Sequence, residues 1–175
     1  YDMLSYNDEG LWIHTKFGYA VPRRNGKNEV ITMREAYGLV NGEQILHTAH
    51  RTPTSSSAFY RLLKLLEDAG YKYKEDYIAH KQYGLETIEF ISTDGKVSFR
   101  TRTSKGGLGE GFDLMIIDEA QEYQDDQETT LKYVVSSSMN PQTIFCGTPP
   151  TMVSSGTVFT KLRNNALQGE TENTG

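Results

Sequence analysis

Cys146 is the only cysteine in the sequence, so no internal disulfide can form, and its apolar, strand-like setting reads as a buried structural thiol. No apolar run approaches the roughly 20 residues of a membrane-spanning helix. No signal-peptide pattern opens the chain either, and no membrane partner is expected. Positive charge is not in excess: 18 Lys and Arg against 23 Asp and Glu leave a formal charge of −5. That balance excludes a protein coated in nucleic-acid-binding surface and confines any DNA contact to a local patch or to a part not in this chain. An initiator methionine is also lacking; the chain opens at Tyr1 and is expected to be a piece of something longer.

What is present suits a soluble globular protein. The composition is 37% hydrophobic and 23% charged, and 175 residues suffice for one well-buried domain but not for two of ordinary size. Residues 12–20 form a strand-like run and residues 29–40 a helix-like one, with Val30, Met33 and Tyr37 on one face and Asn41-Gly42 as its end. Between them stand residues 21–28, Val-Pro-Arg-Arg-Asn-Gly-Lys-Asn. A strand, a loop ending in Gly-Lys and a helix make a phosphate cradle, because backbone N–H groups at a helix start face an anion while the lysine adds a movable charge. Two positions depart from the GxxxxGK[ST] pattern: Val21 replaces the first glycine, and Asn28 replaces the hydroxyl residue that faces magnesium. An Asn amide oxygen can still face the ion directly or through water. Without a phosphate, the same stretch would be a basic turn before a helix.

A second stretch supplies acids. Residues 114–117, Leu-Met-Ile-Ile, read as a strand buried on both faces, ending in Asp118-Glu119-Ala120-Gln121. Paired acids at a strand's carboxyl end provide one carboxylate for a phosphate-bound magnesium and one to orient or deprotonate water; the plain alternative is a strand stop with solvated acids.

Elsewhere the pattern is structural. Residues 44–49 read as a second strand. His47 and His50 have the spacing of a metal pair but no helix to carry them and no further ligand nearby, so no metal site is expected there. The Ser/Thr-rich residues 52–57 read as a connection capping the next helix, in which Phe59, Leu62, Leu63 and Leu66 face the core until Gly70. Residues 71–83 interleave tyrosines with lysines, which suits either an exposed strand or loop, or base stacking. Residues 87–91 and 96–102 alternate around Asp94-Gly95 as a hairpin. A glycine-rich connection, residues 105–111, reads as flexible rather than as a second phosphate loop. A helix is expected from Asp125 to about Ser137, with Leu131, Val134 and Val135 inward; a buried strand over residues 143–146 ends in Gly147-Thr-Pro-Pro; a last helix spans residues 158–167; and the tail is frayed or cut. Of the two basic clusters, Arg23, Arg24 and Lys27 suit a phosphate, whereas Lys96, Arg100, Arg102 and Lys105 default to solvated surface. The expected fold is a three-layer α/β sandwich with a mainly parallel sheet and an antiparallel hairpin.

Three stretches in this order, Pro22-Arg-Arg-Asn-Gly-Lys-Asn28, Met115-Ile-Ile-Asp-Glu-Ala-Gln121 and Thr143-Ile-Phe-Cys-Gly-Thr-Pro-Pro150, resemble the ATPase domain of the large terminase subunit of tailed bacteriophages. That family's motor drives double-stranded DNA into a procapsid. The likeness runs over residues 12–160, and the arginine-rich loop is its most discriminating part. It implies a single P-loop ATPase domain acting on ATP with Mg2+, with Pro22, Arg23, Arg24, Asn25, Gly26, Lys27 and Asn28 around the nucleotide. It further implies Lys27 on the β/γ-phosphates, Arg23 or Arg24 stabilising charge, Asp118 and Asn28 at the metal, and Glu119 as the catalytic glutamate. Gly147 and Thr148 would fall on the motif coupling hydrolysis to movement, and a basic residue acting on a neighbour's ATP would be Arg100, Arg102 or Lys105, Glu110 standing where relatives often carry arginine. The implied partners are double-stranded DNA, the portal protein, the small terminase subunit and further copies in a homo-oligomeric ring on the procapsid, in the host cell cytoplasm. The family's nuclease domain is not expected in this stretch, and the usual glutamine near adenine is not identifiable. Two other readings share these motifs: a helicase-type translocase, which needs a second lobe, and a nucleotide-binding assembly module that does not turn over. The missing Asn-Lys-x-Asp motif counts against a GTPase switch.

Overall fold

The computed structural model describes residues 2–102, 111–131 and 133–169. The strands are β1 (Lys16–Ala20), β2 (Gln44–Ala49), β3 (Tyr77–His80), β4 (Thr87–Phe90), β5 (Lys96–Thr101), β6 (Leu114–Asp118) and β7 (Gln142–Gly147), and the helices α1 (Lys27–Val40), α2 (Thr52–Asp68), α3 (Asp125–Leu131) and α4 (Val158–Gln168). One seven-stranded sheet runs in the order β1-β7-β6-β2-β5-β4-β3. β1, β7, β6, β2 and β5 are parallel, and β4 and β3 add an antiparallel edge. This is the mixed, mainly parallel α/β fold expected.

Core packing on both sheet faces explains the unbroken apolar strands. On β6, Leu114 and Ile116 join the cluster beneath α1 and α2, while Met115 and Ile117 join the opposite cluster with Leu131, Val134 and Phe159. A strand covered on both sides has no solvent face and so no polar alternation. Phe59, Leu62, Leu63 and Leu66 of α2 are all buried, each contributing about 1.5–3 kcal/mol of transfer free energy before chain entropy is set against it.

Several expectations change. α1 turns its other side inward: Met33 is 59% exposed, and the buried positions are Ile31, Thr32, Arg34, Glu35, Gly38 and Leu39. The apolar stripe misleads because this inner face carries paired polar groups. Arg34 donates to Glu43 at 2.6 and 3.1 Å and to Gln142 at 3.2 Å, and Glu35 meets His47 at 2.5 Å. The Ser/Thr run is not a connection but the start of α2, with Arg51 at the N-cap and Pro53 in the first turn, where its missing N–H costs nothing. β1 begins only at Lys16; Trp12 is held instead by stacking on Tyr6 at 4.2 Å and by the Arg34 guanidinium 4.9 Å from its ring. α3 stops at Leu131, and Val134 and Val135 are buried from the turns that follow. The tyrosine-rich stretch contains β3, and Tyr77 is a core residue at 1% exposure, leaving Tyr73 and Tyr83 on the surface. The hairpin expected around Asp94-Gly95 is the antiparallel β4–β5 pair. The expected tail and most of the glycine-rich connection, Lys105 and Glu110 included, lie outside the described residues.

Candidate functional site

The sheet order places the ends of β1, β7 and β6 side by side, and each of the three sequence stretches leaves from one of them. Val21 N–H donates to Gly147 O at 3.1 Å, so the arginine-rich loop departs against the tip of β7. Asn25 shapes the loop, its amide donating to the carbonyls of Pro22 and Arg23 at 3.3 and 3.2 Å. Gly26 has φ 76°, a left-handed conformation that glycine adopts without steric cost. It is also the N-cap of α1, with no side chain capping the helix, so the positive end of the helix dipole lies at the cleft that Gly26, Lys27 and Asn28 line. Tyr19 ties the helix start to β1 by donating its hydroxyl to Lys27 O at 2.8 Å.

Opposite the loop stand the two acids. The Lys27 ammonium donates to Asp118 Oδ1, which also accepts Glu119 N–H at 2.7 Å and faces the Cys146 thiol at 3.5 Å. Burial would raise the Asp118 carboxyl, but the positive field of His47 and of Lys27 and the hydrogen bonds from Lys27 and Glu119 N–H outweigh it and hold Asp118 below its ordinary value. Burial first, and then the nearby Asp118 charge, push the Cys146 thiol well up, so it stays protonated and inert. Glu119 sits at φ 55°, and its Oε2 accepts His50 N–H at 3.1 Å from the end of β2. Thr148 N–H donates to Gln121 Oε1 at 3.2 Å, joining the segment after β7 to the segment after the acids.

One cleft of about 390 Å³ brings together Pro22, Arg23 and Arg24 from the loop, Lys27 and Asn28 from the start of α1, Asp118 at the end of β6 with Glu119 after it, and Thr148. Arg23 and Arg24 have no ion pair or side-chain hydrogen bond among the described residues. Asn28 and Asp118 also share a smaller adjoining recess with Thr54. Carboxylate, amide and hydroxyl oxygens are the hard donors Mg2+ takes. Among the described residues no group of three or more His, Cys, Asp or Glu is arranged for a metal. A larger groove of about 710 Å³ between β1 and α4 is apolar and carries no carboxylate, so it does not suit a metal-bound triphosphate.

Arg100 and Arg102 do not line the cleft and are not solvated surface. Arg100 donates to Glu86 O and Phe99 O at 3.0 and 2.7 Å, and Arg102 donates to Asp118 O and Glu119 O at 2.6 and 3.3 Å. Lys96 pairs with Glu89 at 3.2 Å. Lys105 is outside the described residues. Sequence reasoning missed the buried chain Glu35–His47–Asp118, in which His47 Nε2 lies 3.9 Å from Asp118 Oδ2; the available signal was a histidine in a strand otherwise built for the core.

No protein-family model and no curated protein matches the sequence. Solved structures do match. The large terminase of bacteriophage HK97 superposes with a TM-score of 0.77 at 16% identity, over 92% of this chain and 34% of that one. The large terminase ATPase domain of Thermus phage P74-26 gives 0.57 at 16% identity, over 85% and 64%. The large terminase from a thermophilic bacteriophage, in complex with ATP-gamma-S, gives 0.55 at 15% identity, over 77% and 32%. The chain therefore has the fold of these terminase ATPase domains, and it spans 34% of the length of the first.

Proposed function

We propose that this chain is a single ATPase domain of a viral DNA-packaging terminase, hydrolysing ATP with Mg2+ to drive double-stranded DNA into a procapsid. The observation that carries the reading is the meeting of Lys27, Asp118 and Glu119 in one cleft at neighbouring strand ends. The terminase fold and the ATP-gamma-S complex of a structural neighbour support a nucleotide as its occupant.

In this mechanism the triphosphate lies along the loop, and Lys27 leaves Asp118 for the β- and γ-phosphates. Arg23 and Arg24 offset charge building on the transferred phosphoryl group. Asp118 and Asn28 would hold Mg2+, which when bound neutralises charge on the phosphate oxygens. Glu119 aligns a water, whose oxygen attacks the γ-phosphorus as the bond to the β–γ bridging oxygen breaks, and takes up the water's proton. Gly147 and Thr148, the latter donating its N–H to Gln121 Oε1, would carry the change at the acids to the end of β7. At the level of the whole machine, the partners are double-stranded DNA, the portal protein, the small terminase subunit and further copies in a ring, in the host cell cytoplasm.

Glu119→Gln tests the reading. It keeps nucleotide binding and loses steady-state hydrolysis by a factor on the order of 10² or more. Near-normal turnover would remove Glu119 from the role, and no turnover by the unmodified chain at any concentration, even with DNA and portal present, would favour a non-hydrolysing assembly module.

A further inference from the structure

The hydrolysis mechanism gives Arg102 no task, although its side chain is turned into the protein. It stands immediately after β5, where Arg102 N–H donates to Ala49 O at 3.1 Å and so fixes the residue against the end of β2. Its two terminal nitrogens reach across β2 to the end of β6. Nη1 donates to Asp118 O at 2.6 Å and Nη2 to Glu119 O at 3.3 Å, and the guanidinium lies 5.5 Å from the Tyr123 ring centroid.

The two successive carbonyls point at one guanidinium because Glu119 is left-handed, with φ 55° and ψ 46°, a helical turn of the backbone that sets its own carbonyl on the side of its predecessor's. A side chain with a Cβ disfavours that conformation, so it persists only where its surroundings hold it. The same turn aims the Glu119 carboxylate at His50 N–H and opens the short 3-10 turn Ala120–Glu122, whose Glu122 N–H bonds back to Glu119 O at 2.9 Å. A planar, permanently charged fork fits a pair of carbonyls as a lysine ammonium does not.

We infer that Arg102 is a positioning residue acting within its own chain: it clamps the carbonyls of Asp118 and Glu119 and thereby sets where the Glu119 carboxylate points. This removes Arg102 from the three candidates, with Arg100 and Lys105, for acting on a neighbour's nucleotide, since both of its terminal nitrogens are engaged on its own acids' backbone. The inference rests on the ATPase reading for its effect on turnover, though not for the clamp itself.

Two readouts on Arg102→Ala and Arg102→Lys separate these. The first is amide hydrogen exchange at Glu119, Glu122 and Tyr123 in the nucleotide-free protein. Exchange speeds up about tenfold or more in Arg102→Ala and less in Arg102→Lys, and unchanged exchange would overturn the clamp whatever the protein hydrolyses. The second is ATPase kinetics beside binding of a fluorescent ATP analogue. kcat falls by a factor on the order of 10² in Arg102→Ala, as for a mispositioned reacting group, and by less in Arg102→Lys, with affinity within about threefold of the unmodified chain. Affinity falling in step with kcat would mean that Arg102 touches the nucleotide, and activity regained on mixing Arg102→Ala with Glu119→Gln chains would mean that it acts in trans; either result overturns the inference. Should Arg102→Ala fail to fold, Arg102→Lys carries both measurements. Faster exchange in a protein whose unmodified form never hydrolyses ATP would uphold the clamp and reject the ATPase.

Discussion

Replacing Lys27 by Met, which keeps the apolar stem and removes the charge, should destabilise the nucleotide-free protein as well as weaken nucleotide binding. The Lys27 and Asp118 side chains are 17% and 4% exposed, so Asp118 depends on what the protein itself supplies. Removing one partner of a fully buried ion pair costs about 3–5 kcal/mol. Here Asp118 retains Glu119 N–H and the nearby His47, and Lys27 is partly solvated, so about 2 kcal/mol is expected. With a urea m-value of about 1–3 kcal/mol/M for small proteins, that is a midpoint shift on the order of 1 M. The pH dependence follows from the lowered Asp118 carboxyl. A depressed carboxylate contributes stability that is fully present above its unfolded value of about 3.9 and is lost as pH falls through its lower folded value. Lys27 supplies part of that depression, so the gap between Lys27→Met and the unmodified chain stays constant from about pH 7 to about pH 4 and shrinks below it. Urea unfolding of both proteins, without nucleotide, at about pH 7 and at the lowest pH where both unfold cooperatively, measures this. A negligible midpoint shift at neutral pH, or a gap undiminished in acid, would refute the reasoning.

Other outcomes follow from buried polar contacts and one tight approach. Arg34→Met leaves Glu43 and Gln142 without their donor; about 3 kcal/mol is expected, which lowers Tm by about 6–12 °C in a chain of this size, and the emission of Trp12, the sole tryptophan, should change because the guanidinium lies 4.9 Å from its ring. At Gly147 an added Cβ would lie 2.6 Å from Gln121 Oε1 and 3.2 Å from both Gln121 N and Phe159 Cε1, so Gly147→Ala should displace the Gln121 side chain from Thr148 N–H. Overpacking there costs about 1–3 kcal/mol by urea unfolding, with ATP turnover falling more than ATP affinity. His47→Leu strands the fully buried Glu35, and adding Glu35→Leu should recover stability; a double-mutant cycle showing no coupling on the order of 1–3 kcal/mol would mean the two side chains do not interact in solution.

The parts of the fold legible in the sequence were those in which hydrophobic pattern and burial agree. The α2 stripe of Phe59, Leu62, Leu63 and Leu66 faces an apolar sheet, and the unbroken run on β6 is covered on both faces. The nearness of Lys27 to the acids was also legible, because parallel strands with helical crossovers bring their carboxyl ends to one edge. Hydrophobicity failed on α1, where Arg34 and Glu35 are buried because Glu43, Gln142 and His47 answer them from elsewhere in the chain. Such pairing is set by tertiary contacts at sequence separations that periodicity does not sense. Arg100 and Arg102 were misjudged for a related reason: their acceptors are backbone carbonyls, which no sequence displays.

The arginines divide by what their charge meets. Arg34 is answered by a carboxylate, a glutamine oxygen and an indole ring, and Arg102 by two carbonyls and a phenol ring. Both are committed to partners within the fold, Arg34 at the amino ends of β2 and β7 and Arg102 beside the acids at the end of β6. Arg23 and Arg24 are exposed on the loop, and Arg24 keeps a left-handed backbone, φ 65°, that its side chain does not favour. Two unanswered guanidiniums beside an uncapped helix start raise the local potential, and a strained loop that holds them there is stabilised by whatever neutralises them. In the proposed mechanism a polyphosphate does so, and Lys27, which pairs with Asp118 in the nucleotide-free protein, would leave it for the phosphates. On that mechanism the carboxylate most dependent on Lys27 would be the one left facing the cleft, and binding the anion and creating a place for a divalent cation would be a single electrostatic event. Cation affinity should accordingly rise steeply once nucleotide is bound, and equal affinity with and without it would contradict this coupling.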